Sequence, residues 1–147
     1  MTIKNYKTLK EIHPSLPEDM NIICTLPRSD QYQVIFFLID LMDTSNYDNI
    51  FFSRYLISKI PEVWLIENLP SFMIEIEKNS DFKWDDEWSV RRLAEAMSFS
   101  GSLLRWTLEK ASSSQNPNII EITQEFRIYL PQGTNRFEVN INLDLFN

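Results

Sequence analysis

Two glycines, one histidine and one cysteine in 147 residues remove much of the chemistry a chain of this size can carry. A phosphate-cradling loop needs several glycines close together, because the backbone must approach the phosphate with no Cβ in the way. Gly101 and Gly133 lie far apart, which excludes loops of that kind. Cys24 has no second cysteine for a disulfide, a zinc site or a redox pair. It sits in the apolar hexamer NIICTL, where a buried, inert thiol is expected. A lone cysteine also fits a reducing compartment. His13, in IHPSLP, lacks the third, orienting group that would make it a base for Cys24 or a serine. It reads as a solvent-exposed histidine before a proline.

Without a second His or Cys, a metal would have to rely on oxygen ligands. The richest stretch, DFKWDDE, places Asp81, Asp85, Asp86 and Glu87 without the Gly-centred spacing of a calcium loop, and with Lys83 among them. Neither a metal nor a cofactor is expected. The 21 Asp and Glu residues include no pair that sequence singles out for acid–base work, which needs a carboxyl whose surroundings raise its pKa. The chain therefore reads as a binding protein rather than an enzyme.

Positive charge is also sparse. Fourteen Lys and Arg against 21 acids leave a net charge of −7. The densest basic group is Lys4, Lys7 and Lys10, which is no track for a phosphate backbone. A nucleic-acid target is disfavoured, and a basic protein partner is favoured because opposite fields speed and orient encounter. The longest apolar run, Val34 to Ile39, ends at Asp40 and is too short to cross a bilayer. The N-terminal MTIKNYKTLKEIHPSLPEDM lacks the apolar stretch of a signal peptide. A cytoplasmic location without membrane association is expected.

Large apolar side chains are plentiful: ten Phe, five Tyr and four Trp, in a chain 44% hydrophobic. That suffices for the core of a single domain over residues 1–147. NIICTL, 21–26, reads as a short strand. Ser29 or Asp30 can cap a following helix, with Gln33 three beyond Asp30. QVIFFLIDLM is apolar nearly all round and suits a buried helix. A second helix is expected over 48–59, stopped by Pro61, and a further turn, PEVWLIENL, stopped by Pro70. SFMIEIEK alternates in a way that permits a strand or a helix. The clearest helical stripe is Val90, Leu93, Met97, Gly101, Leu104, Leu108 and Ala111, with SFSGS at 98–102 a place for it to divide. SSSQNP, 112–117, reads as a loop. From Ile120 the period changes. Ile122, Phe126, Ile128 and Leu130 fall on one face of a strand, and Glu121, Thr123, Glu125 and Arg127 on the other. A second alternating run, Phe137 to Leu145, follows PQGTN, and the two read as a β-hairpin. The expected class is α+β: a predominantly helical domain with a C-terminal antiparallel β-hairpin packed on the helices.

Residues 79–88, NSDFKWDDEW, concentrate four acids and two tryptophans. They support two readings. Asp85, Asp86 and Glu87 suit the start of a helix, where acids cap N–H groups and complement the dipole, with Trp84 stapled and Trp88 turned inward. Equally, Asp81, Trp84, Asp85, Asp86, Glu87 and Trp88 form a candidate partner-binding surface, since tryptophan is enriched in hot spots and carboxylates pair with a partner's Lys and Arg.

Small, acidic, cysteine-poor and glycine-poor, rich in Asn, Ile and Phe, and lacking catalytic residues over its whole length, the chain resembles the immunity proteins of contact-dependent growth inhibition and related polymorphic toxin systems. The resemblance implies a cytoplasmic bacterial antitoxin that binds a cognate toxin domain, often a nuclease, and masks its active site or substrate surface. It implies no fold, because those families are structurally diverse. In charge and size the chain is also similar to secretion chaperones, which interleave strands with helices, whereas the best-supported strands of this chain are both C-terminal. A small enzyme using carboxylate chemistry is the third reading.

Overall fold

Asparagine and proline mark where the helices begin. The structure is a computed structural model and describes residues 3–16, 18–43 and 46–130. Asn5 opens α1 (Tyr6–Ile12), Asn46 opens α3 (Tyr47–Ser58) and Asn116 opens α7 (Pro117–Phe126). In each case the side-chain oxygen accepts a first-turn N–H that has no partner within the helix. Pro27 and Pro61 stand directly before α2 (Arg28–Met42) and α4 (Glu62–Asn79). The expected cap at Ser29 or Asp30 is therefore displaced. The helix already runs from Arg28, and Asp30 lies in its first turn.

The apolar run on α2 makes it the central helix. Val34, Ile35, Phe37, Leu38, Ile39 and Met42 are all buried, and it packs on α3, α4 and α5. Phe52 of α3 is fully buried and meets the ring of Tyr6 edge-on at 4.2 Å, with Phe37 on Tyr6's other contact at 5.1 Å. The Tyr6 hydroxyl reaches the buried Ser53 Oγ at 2.8 Å. The expected break at SFSGS is present: α5 (Glu87–Met97) stops, Ser100 caps, and α6 (Gly101–Ala111) begins. α5 serves two apolar clusters. Leu93, Ala96 and Met97 join the main core, while Val90 and Ala94 join a smaller one with Leu104, Leu108, Ile119, Ile122 and Phe126 from α6 and α7.

Several expectations are overturned. The α+β class is wrong for the described residues, which contain no β-strand. The first arm of the expected hairpin is α7 followed by a short 3-10 turn, Arg127–Tyr129. Its buried residues are Ile119, Ile122, Thr123 and Phe126, at helical spacing, and Ile128, assigned to the inner face of the strand, is 66% exposed. The groove between α5 and α6 selects that helical set. The second arm, 137–145, lies outside the described residues. NIICTL is no strand but most of a 3-10 turn, Met20–Thr25, and Cys24 within it is exposed rather than buried. His13 is half-buried at the C-cap of α1 rather than fully solvent-exposed.

Pro70 does not end a helix either; α4 runs straight through it, and SFMIEIEK is helical. Proline has no N–H for the carbonyl four residues back, which costs about 3 kcal/mol in a helix interior. Leu65, Leu69, Phe72, Met73 and Ile76 form one buried face across the break, and their burial offsets that loss.

Candidate functional site: an acidic groove beside the N-terminus of α5

The connection from α4 to α5 is built from hydrogen bonds between residues close in sequence. Ser80 caps α4 by donating from Oγ to the Ile76 carbonyl at 2.8 Å, and the same oxygen accepts the Phe82 N–H at 3.1 Å. Lys83 turns back and donates to the carbonyls of Glu77 and Ser80, so its ammonium serves the C-terminal end of α4. Phe82 is buried, and Trp84 packs edge-on between Phe82 and Trp106 at 5.1 and 5.7 Å. Trp84 is therefore half-buried structure, close to the staple role the first reading gave it.

Asp86 caps α5, accepting the Ser89 N–H at 2.8 Å, and Glu87 stands in the first turn. The capping reading is thus right for Asp86. It is wrong for Trp88, which is 40% exposed and carries the Arg92 guanidinium 3.7 Å above its ring. Asp85 is exposed and accepts the Ser114 hydroxyl at 3.2 Å. Asp81 is exposed on the same connection.

Two further elements complete the acidic surface, and the sequence reading missed both. From α2, Asp43 accepts the Ser89 hydroxyl with both oxygens, at 3.0 and 3.1 Å. Ser89 is buried and so holds two carboxylates, Asp43 through its hydroxyl and Asp86 through its N–H. Burial pushes the Asp43 carboxyl up to about 6; the Ser89 hydrogen bond opposes this, while Asp86, Asp81 and Asp40 add to it. Asp40 is also raised, by burial and then by Asp81. From α7, Glu121, Ile122 and Glu125 face the start of α5 across a groove of about 440 Å³, whose other lining residues are Asp86, Glu87, Trp88, Arg91 and Asn118. Arg91 is bound to Glu125 through two nitrogens, at 3.1 and 3.0 Å. That pairing holds Glu125 below the usual carboxylate range and raises Arg91. Glu87 and Glu121 have no hydrogen bond or ion pair among the described residues.

The groove thus offers four carboxylates against one already neutralised guanidinium, with an exposed indole among them. Its carboxylates outnumber its donors, the Arg91 guanidinium, the Asn118 amide and the Trp88 N–H, which suits a cationic side chain. Of the six residues singled out from sequence, Asp86, Glu87 and Trp88 line it. Trp84 and Asp85 line a separate, smaller groove of about 230 Å³ with Glu77, Lys110, Ser113 and Ser114, and Asp81 belongs with Asp40 and Asp43. Among the described residues, no group of three or more His, Cys, Asp or Glu is placed to hold a metal ion, and no helix is long and apolar enough to cross a membrane. No protein-family model, no curated protein and no solved structure matches the chain.

Proposed function

We propose that this chain is a bacterial immunity protein that binds a basic toxin domain, such as a nuclease, and masks its active site or substrate surface with the groove between α5 and α7. One observation carries the reading: Trp88 is exposed beside Glu87 and Glu121, two carboxylates with no hydrogen bond or ion pair among the described residues. An aromatic that gives up large area at little entropic cost, ringed by uncommitted charge, is the composition of a binding hot spot. Carboxylates presented in this way occupy the positions that phosphates take in a nuclease cleft, and the net charge of −7 steers a cationic partner toward them.

The test is binding to the product of the adjoining gene, where a toxin is expected. Trp88→Ala with Glu87→Lys and Glu121→Lys changes only exposed side chains and should weaken that complex at least ~100-fold, the scale of one hot-spot loss. It should also abolish rescue of cells expressing the toxin. Absence of any complex with the wild-type chain defeats the proposal; a wild-type affinity in the folded triple variant defeats the groove as its site.

One observation favours a second reading, a small enzyme using carboxylate chemistry. Asp43, pushed up to about 6, is in the range a general acid requires. Asp43 lines neither of these two grooves, so the binding reading is preferred. Absence of any such activity in the wild-type chain would eliminate the enzyme reading, and an activity retained in Asp43→Asn would eliminate Asp43 as its acid.

A further inference from the structure

Three arginines converge on one pocket, although the chain has only 14 Lys and Arg. Arg54 of α3 and Arg91 and Arg92 of α5 line a cavity of about 410 Å³, together with the carboxylates of Glu95 and Glu125. Arg91 and Glu125 also line the acidic groove, so their two-nitrogen pair is a wall shared by both. That pair is neutral in itself. The rest of the lining is not, because Arg54 and Arg92 both donate to one oxygen, Glu95 Oε2, at 2.6 and 3.1 Å. Three guanidiniums face two carboxylates, and the lining carries one positive charge in excess.

Arg92 is the less well compensated of the two that share Glu95. Its Nη1 makes the longer bond, its Nε is buried with no hydrogen-bond partner among the described residues, and its Nη2 makes no hydrogen bond there either. A guanidinium has five N–H donors to satisfy. The side chain is only 11% exposed, so water reaches little of it. One face of the group rests on the Trp88 ring. A charge held from water with a shared partner is costly, and an incoming anion relieves it. Ser98 does not compete for that anion, because its hydroxyl already donates to the Glu95 carbonyl at 2.8 Å. The other walls are aromatic: Tyr47, 76% exposed at the start of α3, Phe126 at the end of α7, and the half-buried Tyr129 just beyond.

We propose that this pocket binds a small aromatic carboxylate, with its anionic group on Arg92 and Arg54 and its ring against Tyr47 and Tyr129. Guanidinium N–H groups match the oxygens of a carboxylate. A monoanion cancels the excess charge of the lining. A phosphate monoester, at about −2, would reverse it next to Glu95 and Glu125. The volume falls in the range of small-molecule sites, ~300–1,000 Å³.

Phenylacetate tests the assignment. Titrated into the full chain at pH ~7.5 and followed by heteronuclear NMR, it should give saturable shifts centred on Tyr47, Arg54, Arg92 and Tyr129. The Kd should be ~1 mM, an ordinary value for a ligand of ~10 non-hydrogen atoms. Phenylacetamide keeps the shape without the charge, and acetate keeps the charge without the ring. Each should bind at least ~tenfold more weakly, and so should inorganic phosphate. Arg92→Gln leaves Arg54 and Glu95 as a one-to-one pair and should weaken phenylacetate at least ~tenfold. Tyr47→Ala changes an exposed side chain and should weaken it at least ~threefold; this variant decides the matter if Arg92→Gln fails to fold. No saturable binding of phenylacetate up to ~20 mM overturns the proposal. Equal binding of phenylacetamide, acetate or phosphate overturns it as well, as do shifts centred elsewhere or full affinity in either folded variant. No toxin enters these measurements, so their failure leaves the immunity reading untouched.

Discussion

Asp43 makes the stability of the fold depend on pH in the direction opposite to acid denaturation. Its carboxyl lies half-buried between the end of α2 and Ser89, surrounded by Asp40, Asp81 and Asp86, and its pKa rises from an ordinary 3.8 to about 6. The folded state therefore binds this proton more tightly than the unfolded chain. Between pH ~4 and ~6 the unfolded chain has released it and the folded chain has not, so stability contributed by this group is fully present below ~4 and is lost as pH rises through ~6. The interval corresponds to ~3 kcal/mol at 1.36 kcal/mol per tenfold change in proton affinity. Water reaches part of the carboxylate and screens it, which reduces this to ~1–2 kcal/mol. Asp43→Asn keeps an acceptor for the Ser89 hydroxyl and removes the charge. At pH 7.5 it should raise Tm by ~2–8 °C, taking ~2–4 °C per kcal/mol for a chain of this length, and the advantage should vanish near pH 4. Thermal unfolding followed by circular dichroism across that range measures the difference between the two chains, which cancels the contribution of carboxylates remote from Asp43 and leaves that of Asp43 with its neighbours Asp40, Asp81 and Asp86. A difference that does not change with pH, or a variant less stable at pH 7.5, would refute the assignment of a raised, destabilising carboxyl to Asp43.

Two further outcomes concern the parts that position the groove. Asp86→Ala removes the cap of α5 and should cost ~1 kcal/mol in urea denaturation, with the slope unchanged; a loss below ~0.3 kcal/mol would mean that the Ser89 N–H finds another acceptor. Phe52→Ala removes a fully buried ring from the contact with Tyr6 and should cost ~3–5 kcal/mol by the same measurement; a cost near 1 kcal/mol would show that the core there closes over the gap.

What could be read from the chain depended on whether a signal was local. The apolar run of α2, the break at SFSGS and the cap at Asp86 are each decided by a few neighbouring residues, and each is where expected. Pro70 is decided elsewhere. Its penalty is written in one residue, whereas the burial that offsets it is spread over five residues on both sides and depends on what α4 packs against. Asp43 was invisible as a site residue for the same reason. Asp40, three residues before it, adds to the shift, but Ser89, forty-six positions away, is what brings the carboxyl to Asp86.

The error at α7 has a more specific origin, and it explains why the acidic groove was still partly legible. A spacing of four satisfies both an alternating strand and a helix, so Ile122 and Phe126 share a face under either period, and so do Glu121 and Glu125. The periods disagree only at the residues between. A strand turns Ile128 inward with Phe126; a helix turns Ile119 and Thr123 inward instead, and these two are the ones buried. β-Branched Ile and Thr weighted the local preference toward a strand, while the Asn116–Pro117 start pointed toward a helix. The charge pattern was indifferent to the choice: Glu121 and Glu125 were set on an outward face in the strand reading and stand on one in α7. What the strand reading could not supply was the neighbour. Only as a helix packed on α5 does that face come opposite Glu87 and Trp88, turning two separately exposed acidic stretches into one groove.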